Sequence, residues 1–78
     1  MIVHIADRAA LSAIVSEIPP KALVLADKFW PGPLTMILPK SDLVPKETTG
    51  GLNSVAVRIP SDRIAQELIL AAGGYVAA

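Results

Sequence analysis

Apolar and polar positions change period several times along this chain, and each change marks an element. Ile2 to Ile5 is β-branched and apolar apart from His4, the pattern of a short buried strand. Asp7 follows as a helix cap. Leu11, Ile14, Val15 and Ile18 then recur at three- and four-residue spacing, which predicts an apolar stripe on a helix over residues 8–17. Pro19-Pro20 ends that helix, and Pro20 suits the first turn of a second helix running to Phe29, because its missing amide proton is not needed there. Phe29-Trp30-Pro31-Gly32-Pro33 must stop the second helix abruptly. The chain restarts as a strand over Leu34 to Leu38, with Leu34, Met36 and Leu38 on one face, Thr35 and Ile37 on the other, and both faces expected to be covered.

Residues 39–53 are polar, rich in turn formers and without an apolar period, so they form a loop or lid candidate. In the strand that follows, Val55, Val57 and Ile59 face one side while Ser54, Ala56 and Arg58 face the other. Ser61 and Asp62 open a last helix carrying Ile64, Ala65, Leu68, Ile69 and Ala72. Gly73-Gly74 closes it as a left-handed cap, and Tyr75 to Ala78 reads as one more strand. Strands alternating with helices predict an α/β fold.

Composition narrows this further. A chain of 78 residues forms one small domain at most, of marginal stability by itself. Its 53% hydrophobic content and mean hydropathy of +0.54 suit the interior of a larger domain, so a slice of a longer protein is expected. Seven basic residues balance seven acidic ones, which removes the basic footprint of a free-standing nucleic-acid binder. The absence of cysteine excludes disulfides and thiolate metal sites and agrees with a reducing cytosol, and one histidine cannot build a zinc triad. No metal site is expected. The apolar runs fall short of the ~20 residues that span a bilayer, and no basic leader opens the chain.

The chemistry concentrates on one strand. Ser54 and Arg58 point the same way across a small alanine, with roughly 13 Å of backbone between them. A guanidinium there has a planar donor fork matched to a carboxylate or phosphate; equally, it can pair with an acidic neighbour or extend off the sheet edge. The residues alone leave both open. His4 between apolar neighbours reads as a core histidine, and the proline corner as structural. Lys40, Lys46 and Thr48-Thr49-Gly50-Gly51 invite a phosphate-loop reading but lack a glycine-rich turn opening directly into a helix with a following lysine and serine or threonine, which makes it a weak signal, and Asp42 and Glu47 read as solvated charges.

The segments Ile2-Val3-His4-Ile5-Ala6-Asp7, Phe29 to Pro39, Ser54 to Pro60 and Ala71 to Ala78 together resemble the YrdC-like family of threonylcarbamoyl-AMP synthases, in order and spacing over nearly the whole chain. The resemblance implies a twisted mixed sheet with about three helices packed on it. It also implies a nucleotidyltransferase that joins threonine, bicarbonate and ATP, with Mg2+, into threonylcarbamoyl-AMP for tRNA modification in the cytoplasm. By resemblance Arg58 contacts threonine, and Ser54 and Ala78 contact the nucleotide; no catalytic residue is assigned. The family's lysine and arginine motif ahead of the first strand and its serine and asparagine motif after the last are not in residues 1–78. The expectation is therefore a partial YrdC-like domain, inactive alone, with a homodimer through apolar edges as one way to cover it. Two other readings stay open: a noncatalytic module binding double-stranded RNA, and the YrdC-like part of a hydrogenase-maturation carbamoyltransferase.

Overall fold

In the computed structural model, which describes residues 1–78, β1 (Ile2–Ile5) and β3 (Ser54–Arg58) run parallel at the centre of a sheet. β2 (Met36–Pro39) pairs antiparallel with β3, and β4 (Tyr75–Ala77) antiparallel with β1, giving the order β2-β3-β1-β4. The sheet is thus mixed and four-stranded, with α1 (Leu11–Ile14), α2 (Pro20–Phe29) and α3 (Arg63–Ala71) around it, as the α/β expectation required.

Alternation sorts the sheet into two unlike faces. Val3, Ile5, Met36, Leu38, Val55 and Val57 are buried together with Leu11 and Ile14 of α1, Ala22 and Ala26 of α2, and Trp30. Of α2 only the small residues Ala22 and Ala26 are buried in this core, while Val24 and Phe29 are exposed. On the other face Ile2, His4, Ser54, Ala56 and Arg58 are half-buried. Ile37 is 73% exposed, so the expectation that both faces of β2 are covered is corrected: nothing packs over it. Exposed apolar residues border this side, Leu52 beside Ser54 and Leu68 beside His4.

The first predicted helix is also shorter than its stripe. Asp7 caps a 3₁₀ turn over Arg8–Ala10, Ala9 N–H donating to its carboxylate at 3.0 Å, and α1 ends at Ile14. Val15 leaves the helix with φ −113° and ψ 147° and pairs with Lys40 as an isolated bridge. Ser16 N–H donates to Pro39 C=O at 3.0 Å and Ser41 N–H to Ile14 C=O at 2.8 Å. A tertiary ladder therefore overrides helical propensity at a β-branched residue.

The Pro39–Asn53 connection is a pinned loop. Lys40 N–H donates to Asn53 C=O at 2.9 Å, closing its base, and Val44, only 5% exposed, inserts into the core. At the far end, Asp62 accepts from Ile64 N–H at 2.8 Å and Ala65 N–H at 3.4 Å to cap α3, and Gly74 N–H donates to Ile69 C=O at 2.9 Å as α3 ends. Asp62→Ala is expected to lower stability by about 1 kcal/mol, the usual loss for an N-cap, read as a lower urea midpoint at unchanged m-value.

Candidate functional site

The Trp30 to Pro33 corner sets the site because it docks on the end of β3. Trp30 is buried, its indole Nε1–H donating to Leu34 C=O at 2.8 Å, so the ring ties the end of α2 to the approach of β2. The Trp30–Pro31 peptide is cis. The buried Gly32 then makes two contacts with adjacent residues of β3's end. Its N–H donates to Ile59 C=O at 2.8 Å, and its C=O accepts from Arg58 Nε–H at 3.0 Å.

Arg58 thus lies half-buried on the open face with its Nε engaged by main chain. It pairs with no carboxylate; the chain's one ion pair joins Arg8 to Asp27. Its terminal nitrogens have no acceptor within the protein, which leaves their donors available to an anion. Beside it on β1 stands His4, directly in register, and beyond that Val76 on β4. Residues in register project from the same face, so the imidazole, read from sequence as a core side chain, borders the guanidinium on the open side. Sequence reasoning missed this neighbour because strand order is not written locally. α3 leans over the same row: His4, Val76, Pro60, Ala65, Leu68 and Ile69 line an apolar cavity of about 330 Å³.

Ser54 occupies the opposite end of β3 on the same face. Together with Met1, Ile37, Thr49, Leu52 and Ala56 it lines a hollow of about 190 Å³, which the loop tip helps to wall. That volume falls below the about 300 Å³ at which small-molecule pockets begin, so the hollow does not enclose a ligand by itself. Arg58 does not line it; the two side chains share a face but not a cavity. Ala78 projects from this face too, beside Ile2. Its N–H donates to Ile2 C=O at 2.9 Å and its C=O accepts from Ile2 N–H at 3.0 Å, so both main-chain groups are engaged by the sheet. No three histidine or carboxylate side chains converge anywhere to hold a metal ion, and no helix is long and apolar enough to cross a membrane.

The Sua5_yciO_yrdC family model, described as "Telomere recombination", matches residues 1–78. Threonylcarbamoyl-AMP synthase of Pyrococcus abyssi is 54% identical over 69 residues, covering 88% of this chain and 20% of that protein. Threonylcarbamoyl-AMP synthase of Bacillus subtilis is 44% identical over 79 residues, covering 100% of this chain and 23% of that protein. The crystal structure of P. abyssi Sua5 complexed with L-threonine superposes with a TM-score of 0.95 at 51% identity, covering 99% of this chain and 23% of the other. The chain therefore spans about a fifth of the length of these relatives.

Proposed function

The chain belongs to the Sua5, YciO and YrdC family, and we propose from that membership that it forms one wall of the active site of a threonylcarbamoyl-AMP synthase. In this reading the enzyme condenses threonine, bicarbonate and ATP, the last as its Mg2+ complex, into threonylcarbamoyl-AMP. Pyrophosphate leaves from ATP, and the oxygen lost in joining amine to bicarbonate leaves as water. The product serves tRNA modification in the cytoplasm.

One observation carries the assignment of roles: a half-buried arginine on an open sheet face, bonded to a carbonyl and paired with no acid. A guanidinium in that state favours an anionic ligand, because its terminal donors are partly desolvated and unmatched. Arg58 takes the threonine carboxylate in this proposal, with His4 as its neighbour in the same row. The P. abyssi relative's complex with L-threonine supports threonine as the ligand class. Ser54 faces the nucleotide from the hollow at the other end of β3, its hydroxyl able to donate or accept. Ala78, paired with Ile2 on the far side of β1 and outside that hollow, takes the nucleotide contact that the resemblance assigns to it.

The polyphosphate has no cradle among these residues, since neither a phosphate loop nor a cationic cluster lines the Ser54 hollow. Adenylyl transfer depends on such electrostatic positioning, so residues 1–78 alone are proposed to be inactive. Pyrophosphate release from threonine, bicarbonate, ATP and Mg2+ tests this, comparing residues 1–78 with a form extended at both ends. The expected result is turnover confined to the longer form. Turnover by residues 1–78 would show that these elements hold a complete site.

A further inference from the structure

We propose that the main chain of Gly32 is a positioning element for Arg58, one that commits the guanidinium to meet a carboxylate end-on, through its two terminal nitrogens. The proposal rests on the reading of Arg58 as the threonine-carboxylate ligand and deepens it.

An arginine on an open sheet face has many rotamers, and a carboxylate can approach it side-on, through Nε and one terminal nitrogen, or end-on, through both terminal nitrogens. Here the choice is already made. Nε–H is taken by Gly32 C=O at 3.0 Å, so the side-on edge is closed to a ligand. That carbonyl is itself held, because the same residue's N–H donates to Ile59 C=O at 2.8 Å. The acceptor residue Ile59 directly follows Arg58, so the two hydrogen bonds close a ring between corner and strand end. Neither bond swings without the other. Trp30, buried and bonded to Leu34 C=O, fixes the corner from its other side.

Position 32 requires glycine for a steric reason. A Cβ there would stand 2.7 Å from the Phe29 carbonyl oxygen, a main-chain atom at the end of α2 that has no rotamer to move aside. Any side chain at this position must therefore displace the corner, and with it the acceptor of Arg58. Residues 26 apart in sequence are in this way coupled through one carbonyl.

Nuclear magnetic resonance on the protein carrying residues 1–78 tests this. In the unsubstituted protein the Arg58 Nε–H is expected to exchange slowly with solvent and to show scalar coupling through the hydrogen bond to the Gly32 carbonyl carbon. Added threonine should shift the terminal-nitrogen signals and leave that coupling intact. In Gly32→Ala, threonine affinity is expected to fall about 3- to 10-fold, the range for one net hydrogen bond, while affinity for threonine amide, which lacks the carboxylate, is unchanged. A general loss of structure would weaken both. Retained carboxylate preference in Gly32→Ala, with loss of that preference in Arg58→Ala, overturns the positioning role and leaves the ligand reading standing. Retained preference in Arg58→Ala removes the ligand reading and the proposal with it. Should Gly32→Ala not fold, the unsubstituted protein decides: a missing coupling, or one that threonine abolishes, overturns the proposal.

Discussion

Trp30→Ala is expected to destabilise the protein by about 3–5 kcal/mol, the range for emptying a buried aromatic site, and to abolish cooperative unfolding of residues 1–78. The indole is 8% exposed and belongs to the same cluster as Val57, Ile59 and Ala26. A single core in a chain of this size rarely supplies more than about 3–5 kcal/mol, which such a loss matches. The vacated volume would adjoin a second one, since Trp30 already lines a cavity of about 270 Å³ with Asp7, Arg8, Pro31 and Gln66. Water then has a path to the end of β3. Trp30→Phe separates packing from hydrogen bonding: it keeps most of the apolar body but leaves Leu34 C=O without its indole donor, for a loss of about 1 kcal/mol. Urea unfolding followed by circular dichroism reads both. A Trp30→Ala protein within 1 kcal/mol of the unsubstituted one would mean, against the about 3 kcal/mol minimum expected, that the corner is held by its prolines alone.

The same corner shows what the chain makes legible. Prolines at 20, 31 and 33 delimit α2 by chemistry confined to the neighbouring turn, and the helix runs over Pro20–Phe29 as its sequence predicts. The cap at Asp62 and the alternation in β3 are equally local, and both appear in place. The early end of α1 is not local. Its stripe continues in sequence through Ile18, but Val15 finds a better partner in Lys40, which no nearby residue announces. The exposure of Ile37 is of the same kind, because an apolar residue in a strand reads as covered whether or not anything packs there.

For the site, the sequence showed that Ser54 and Arg58 share a face but not what surrounds each. His4 borders Arg58 only because β1 inserts between β3 and β4, a matter of strand order. The Gly32 carbonyl leaves still less trace, since a main-chain acceptor is the same atom in every residue. What the sequence does carry is the glycine itself, required by the approach of Phe29. The partition has a physical basis: signals decided within one turn or one strand survive in one dimension, and those made by docking of elements do not.

Arg58→Ala, in the form extended at both ends, is expected to weaken threonine binding by about 1.5–3 kcal/mol, or roughly 10- to 150-fold, the range for hydrogen bonds to a charged group. Arg58→Lys should recover only part, because an ammonium restores charge without the planar fork and cannot hold the Gly32 carbonyl and a carboxylate together. ATP affinity should change little in either variant, since Ser54 lies roughly 13 Å away along the strand and has no shared partner with Arg58. Titration calorimetry with threonine and ATP separately distinguishes this from a general loosening of the sheet, which would weaken both ligands. If threonine affinity stays unchanged while the melting temperature falls, the guanidinium is a clasp between β3 and the proline corner, and the threonine carboxylate must find its cation elsewhere.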